Sequence, residues 1–319
     1  MSAAARGNRT LWIAFVANLG IAVAKFGAAA ITGSSAMLTE GIHSLVDSSN
    51  QLLLIHGRKR ARRPADAQHP LGYGRELYFW SFVVAVLVFA LGAGVSIYEG
   101  IIHILEPEHA VSPIVAYSVL AIAFALESWS TIAAYREFKA AKGSLGWWQA
   151  VRQSKDPPAF IVLLENGAAM VGLLAAFAGV MLAQLTGNPF WDGAASVVIG
   201  VILALTAYLL AYESKALLIG ESADPALNEQ LRAVAAERSG VTAVGDIIAI
   251  HSAPDEILVI MTIDFDDKIS AREAETIVLD IETDVAARWP TVQRLYIRPE
   301  HGATQRLPSA SRTVMKDQR

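Results

Sequence analysis

The chain reads as a membrane protein in two parts: an all-α bundle of six transmembrane helices, then a cytoplasmic α+β domain of ferredoxin-like character. Hydrophobic residues fill 54% of the 319 positions and charged ones only 18%, a balance too apolar for a soluble domain of that length. The apolar residues gather in long segments up to about Lys215, and charge becomes dense beyond Gly220. The expected division is residues 1–218 for the membrane part, 219–302 for the cytoplasmic domain and 303–319 for a disordered tail.

A helix needs about 20 largely apolar residues to cross about 30 Å of hydrocarbon at about 1.5 Å per residue. Six segments qualify: Leu11 to Thr32, Ala36 to His56, Leu77 to Leu105, Ser112 to Tyr135, Ala159 to Leu185 and Trp191 to Glu213. The opening MSAAARGNRTLW has no cleavage site, and the apolar run behind it is long and broken by Asn and Lys. It is therefore read as the first span and not as a signal peptide. Basic residues favour the cytoplasmic side of short loops. They fill the N-terminal arm (Arg6, Arg9), the second loop (RKRARR, from Arg58) and the fourth (REFKAAK, VRQSK), whereas TGSS, EPEHAVS and TGNP carry almost none. Both termini are expected on the cytoplasmic side of a bacterial inner membrane.

Fifteen basic and 13 acidic residues precede Gly220, and 11 and 17 follow it, so the acidic excess of the last domain argues against nucleic acid as a partner. There is no cysteine, which removes disulfides, thiolate ligands and cysteine nucleophiles together; a bound transition metal must rely on His, Asp, Glu or amide oxygen.

Past Gly220, DPALNEQLRAVAAERSG predicts a helix opened by an Asp cap. AVGDIIAIHS and DEILVIMTIDFDD predict strands on either side of Pro254, Ser270 to Trp289 a second helix, and Val292 to Ile297 a last strand. The order αββαβ predicts two helices on one face of a small antiparallel sheet.

The chemistry concentrates in AMLTEGIHSLVDSSNQ. Glu40, His43 and Asp47 fall at i, i+3 and i+7, on one helix face. Ionisable groups at membrane depth are costly, so they face a bundle interior or a wet cavity and mark ion or proton paths; the bland alternative is a cluster of hydrogen bonds between helices. His43 and Asp47, one turn apart, present an imidazole nitrogen and a carboxylate oxygen to one point, which suits Zn²⁺ and neighbouring divalent ions. In FIVLLENGAAM of the fifth span, Glu165 and Asn166 are set to complete four ligands if helices two and five pack antiparallel. Against this, Glu165 could be a structural acceptor and Asn166 a backbone partner.

Other polar positions weigh less. Lys25 could pair a carboxylate, Glu127 could relay protons, and Asp192 sits where a helix start explains it; none is taken as a ligand. Asp66 and His69, at i and i+3 in the loop PADAQHPLGYGRE, are a candidate for a second, exposed metal, against the reading of a solvated connector. RKRARR could anchor to anionic lipid. His251 and the cluster Asp264, Asp266 and Asp267 are mostly a solvated strand end.

Six spans, HSLVD in the second, a basic loop running into HPLGYGRE and a terminal αββαβ domain together resemble the cation diffusion facilitators, over nearly the whole chain. HPLGYGRELYFWSF, DPPAFIVLLENGAA and HSAPDEIL look most similar to the branch containing zinc transporter nine. The resemblance implies a homodimeric, proton-coupled exporter of zinc or a related ion, with a central site shared by helices two and five. His43 and Asp47 match the helix-two ligand pair. Helix five departs from the usual His or Asp, three residues, then Asp: this chain offers Val162 and Asn166, or Glu165 and Ala169. The branch resembled shows Glu followed by Asp, so Asn166 is a further departure. Asp66 and His69 match two peripheral ligands, with Tyr73 where a third His is often found. Thr242, Thr262 and Arg298 stand near the positions of regulatory ligands in the last domain, which is therefore expected to dimerise more than to sense metal.

The expected function is alternating-access export of Zn²⁺, with Mn²⁺, Fe²⁺, Co²⁺ and Cd²⁺ as alternatives, by a protein that is not an enzyme and needs no cofactor. Its expected partners are the bilayer, a second copy, divalent cations and protons. The rival reading is a metal-responsive scaffold with little turnover.

Overall fold

The computed structural model describes residues 3–32, 35–106 and 113–302, with side chains from residue 8 onward except at 32, 35–40, 42, 43, 113 and 153. The tail at 303–319, the side chains of Glu40 and His43, and most of the first and third loops thus lie outside the described residues. The chain divides into two compact units, Met1–Ile219 and Gly220–Arg319.

The first unit is all helix: α1 (Ala3–Thr32), α2 (Ser35–Ala61), α3 (Glu76–Leu87), a π-helical turn (Val88–Ala93), α4 (Gly94–Leu105), α5 (Pro113–Lys142), α6 (Trp147–Gln153), α7 (Pro157–Thr186) and α8 (Phe190–Ile219). Among the described residues five stretches are long and apolar enough to cross a membrane: Asn8–Ile31, Glu76–Leu105, Ile114–Lys142, Pro157–Thr186 and Phe190–Ile219. The chain is an integral membrane protein. At 27 residues α2 is long enough, but its polar stripe keeps it outside that group. Several helices outrun the expected spans, α2 to Ala61 and α5 to Lys142, because helix-favouring Arg, Lys, Glu and Ala continue the turn after the apolar run stops. α6 falls inside what the sequence presents as a basic loop.

Outward faces carry large apolar side chains, such as Val23, Leu174, Leu205 and Tyr208, the inverse of a soluble bundle. Inside, α1 packs on α2 and α5, α5 on α7, α7 on α8, and the α3–α4 rod on α8. Glycine sets the last contact. A Cβ at Gly200 would stand 2.9 Å from the Ile97 amide nitrogen and 3.1 Å from the Ala93 carbonyl, and one at Gly193 would stand 2.8 Å from the Gly100 carbonyl. Small residues allow such close approach where lipid gives helices no hydrophobic reason to associate. At the start of α7, Pro157 and Pro158 occupy the first turn, where their missing N–H groups cost nothing, and Gly187 ends the helix in the left-handed conformation (φ 64°).

The second unit runs α9 (Pro225–Ala236), β1 (Val241–Ala253), β2 (Glu256–Phe265), α10 (Ala271–Arg288) and β3 (Val292–Pro299). Asp224 caps α9 by accepting from the Ala226 amide, and Ser270 with Glu273 forms a capping box on α10. The sheet order is β1-β2-β3, with β1 and β2 antiparallel. The expected antiparallel sheet is corrected for β3: it lies parallel to β2, because α10 carries the chain back across the sheet before β3 begins. Leu227, Leu231 and Val234 of α9, Ile281 and Val285 of α10, and Val259, Met261 and Ile263 of β2 share one core. Elsewhere on the sheet Ile248, Ile260 and Tyr296, in register across the three strands, are exposed.

Candidate metal centre

The polar stripe of α2 continues past the positions the sequence singles out. Gln51, one turn beyond Asp47, is buried; its amide nitrogen donates to Glu165 Oε2 of α7 at 3.3 Å, and its carbonyl accepts from the Asn18 amide of α1 at 3.3 Å. Asn18, Gln51 and Glu165 thus form a chain across three helices. Glu165 Oε1 is buried and has no hydrogen-bond partner among the described residues, and the same holds for Glu127 Oε2 on α5. Asp47 and Glu127 are near enough to Glu165 to act on its charge, and Lys25, whose Nζ donates to Ser44 Oγ at 2.9 Å, acts on Glu127. Three carboxylates and one ammonium from α1, α2, α5 and α7 therefore share one interior. An interior lined by carboxylates in this way favours a cation, since buried charge without a counter-charge is costly.

Glu165 and Asn166 do not converge. Successive helical residues point about 100° apart at 3.6 residues per turn, and Glu165 turns to α2 while the Asn166 amide donates to Ser130 Oγ of α5 at 2.7 Å. Asn166 and Ser130 are both buried, so this bond ties α7 to α5. Among the described residues no three His, Cys, Asp or Glu side chains lie close enough to hold a metal ion, and His43 lies outside them. The residues sequence reasoning passed over are Gln51, Asn18 and Ser130; carrying the i, i+3, i+7 stripe one turn further would have found Gln51.

Below this interior Arg58 of α2 is buried and reaches Asp156, at the N-terminus of α7, with one nitrogen 2.8 and 2.9 Å from the two carboxylate oxygens. Asp156 occupies the N-cap position, yet its side chain makes no cap hydrogen bond. Its carboxylate instead fastens the start of α7 to the end of α2, which holds Glu165 and the α2 stripe at fixed heights relative to each other.

In the second loop Asp66 Oδ1 accepts from the amides of Gln68 (2.9 Å) and His69 (2.8 Å), and Oδ2 accepts from the Tyr73 hydroxyl at 2.7 Å. His69 stacks on Tyr73 with ring centroids 4.2 Å apart, and its Nδ1 is 3.7 Å from Asp66. Asp66 and His69 do lie together, but both carboxylate oxygens already close the loop. The Tyr73 hydroxyl, then the backbone amide of His69, hold the Asp66 carboxyl below its ordinary value, and the same bond raises Tyr73. A depressed folded-state value stabilises the loop above the ordinary carboxylate value of about 3.9 and ceases to do so as pH falls through the lower one. Tyr73→Phe is accordingly expected to move Asp66 back toward the ordinary value. An NMR titration of that carboxyl checks it, and an unchanged midpoint would mean that the backbone amides alone set it.

A helical membrane protein with an acidic, polar-bridged interior between α1, α2, α5 and α7 is the class that fold and site define. Residues 11–219 match the cation efflux transmembrane domain, and the chain belongs to that family, the cation diffusion facilitators. It is similar to the mitochondrial proton-coupled zinc antiporter SLC30A9 of Xenopus laevis (35% identical over 244 residues, 76% of this chain and 44% of that protein). It is similar also to the human protein of the same name (32% over 251 residues, 78% and 44%) and to metal tolerance protein C4 of Arabidopsis thaliana (33% over 204 residues, 63% and 44%). These relatives bear out the likeness to the zinc transporter nine branch. The chain spans less than half of their length, 44% in each case.

Proposed function

We propose that this protein exports a divalent transition-metal cation, Zn²⁺ first among them, in exchange for protons. The observation that carries the reading is the Glu165 carboxylate, which is bridged by Gln51 to the stripe of Asp47 and keeps a buried oxygen with no partner among the described residues. His43, Asp47 and Glu165 are the ligands in this reading, and Asn166 enters the set only if it gives up Ser130. Asp66 and His69 form a peripheral, solvent-side pair, usable only by displacing Tyr73. The chemistry of nitrogen and carboxylate oxygen without thiolate favours zinc but admits manganese, iron, cobalt and cadmium.

On this reading α2 is the sixth span: its 27 residues are enough to cross, and Gln51 of its polar stripe is buried against α1 and α7. The termini lie on the side of the basic loops, the cytoplasm for a bacterial inner membrane or the matrix for a mitochondrial one. The second unit, read as ferredoxin-like, joins two copies. The row of Ile248, Ile260 and Tyr296, in register across all three strands and exposed, supports that role.

Metal-by-metal uptake into everted vesicles tests the proposal. Zinc uptake above that of vesicles lacking the protein is expected, and uptake of none of the five metals would refute export. The second reading, a scaffold with little turnover, rests on Asn166, whose amide is engaged with Ser130. Asn166→Asp should change zinc affinity only modestly in a working exporter; transport that appears only in that variant would favour the scaffold.

A further inference from the structure

Where α2 leaves the apolar region and α3 enters it, an open cleft of about 440 Å³ is lined by His56, Arg60, Arg75, Glu76, Phe79, Trp80 and Leu218. Its chemistry is basic and prearranged. Arg60 donates to Glu76 Oε1 through Nε (3.1 Å) and a terminal nitrogen (2.7 Å), while Trp80 donates to Glu76 Oε2 at 2.8 Å. Glu76 thus spends both oxygens fixing Arg60 and Trp80 in the wall. Arg60 keeps its second terminal nitrogen, and Arg75 is exposed, its guanidinium making no hydrogen bond or ion pair among the described residues. His56 stands edge-on to Trp80, ring centroids 5.0 Å apart. Two guanidiniums therefore stand beside one carboxylate that is already used, which leaves an anion-attracting surplus.

We infer that this cleft binds a phosphate group, and that its source is the headgroup of an anionic phospholipid. The guanidinium fork matches phosphate oxygens geometrically as well as by charge. The lipid source is favoured because the cleft has an apolar side: Phe79 is exposed beside it and Leu218 lines it, giving an acyl chain a surface that a free phosphate would leave unused. Phe79 and Trp80 lie about one turn past Arg75 on α3, as interfacial aromatics do at headgroup depth. The site is separate from the α2–α7 interior and does not depend on which ion is carried.

The test uses the full chain in neutral detergent micelles, titrated with phosphatidylglycerol, phosphatidylcholine or inorganic phosphate while thermal unfolding is followed. Phosphatidylglycerol should raise the midpoint by about 2–4 °C where phosphatidylcholine does not. Arg75→Ala, which breaks no internal bond, should weaken the lipid response about five-fold, the usual effect of one basic residue near an anionic surface. The double variant Arg62→Ala with Arg63→Ala, which removes two charges from the exposed loop outside the cleft against one for Arg75→Ala, should keep it. Should inorganic phosphate reproduce the shift and lose it in Arg75→Ala, the phosphate site stands and the lipid source is overturned. Equal shifts from the two lipids with none from phosphate, or a double variant as impaired as Arg75→Ala, overturn the site itself.

Discussion

Glu165→Ala is expected to reduce zinc uptake into everted vesicles to the level of vesicles without the protein, a loss exceeding the roughly 10–100-fold that outer-shell changes around a metal cause. The informative partner is Glu165→Gln. It keeps the side chain's volume and an oxygen for the Gln51 amide, whose bond to Glu165 is 3.3 Å, but removes the charge that a divalent ion would neutralise. If Glu165 is a ligand, both variants lose transport. If it serves only as an acceptor holding α2 to α7, Glu165→Gln transports normally and Glu165→Ala fails through loss of packing. Thermal unfolding of the two purified variants separates these outcomes, because the amide should preserve the bridge and the alanine should not.

His43→Ala should cost at least about ten-fold in zinc uptake, comparable with removal of a direct ligand's support, and should flatten the dependence of uptake on pH near neutrality. An imidazole nitrogen cannot hold a proton and a metal at once, so protons from the far side compete with the ion wherever His is a ligand. Asp47 is one turn away on the same face. Uptake by His43→Ala at the level of the unaltered protein, with its pH response intact, would move the coupling to the carboxylates.

How much of this was legible in the sequence differs from element to element. The apolar spans were readable because a run of about 20 apolar residues matches the thickness of a bilayer and exceeds what a soluble core helix needs. The ends were not, since nothing in REFKAAK tells a helix that has left the membrane to stop. The seven residues of α6, WWQAVRQ, are too few to show a period, and the π-helical turn at Val88–Ala93 has the same apolar composition as its neighbours. The αββαβ order of the last unit was legible from alternation and caps. Its parallel β2–β3 pair was implied by the 18 residues of α10 between those strands, a crossover long enough to return β3 in the same direction.

At the site, the α2 stripe was legible because periodicity puts polar residues on one face, and Gln51 extends it. The divergence of Glu165 and Asn166 was latent in their adjacency, since neighbours on a helix cannot face the same way. Ser130 as the partner of Asn166 was not legible at all: 36 positions separate them, and only the packing of α5 on α7 brings them together. The Arg58–Asp156 pair, 98 positions apart, was hidden for the same reason; composition suggested only that Arg58 belonged to a basic loop.

The central claim, that zinc is exchanged for protons, is tested most directly in proteoliposomes of the purified protein loaded with a pH-sensitive dye. With protein present, imposing a pH gradient acid inside should drive zinc accumulation, and adding zinc to ungraded vesicles should raise the internal pH as protons leave. Both responses should vanish in Glu165→Ala. Zinc accumulation that is the same with and without the gradient, and that leaves the internal pH unchanged, would contradict the account.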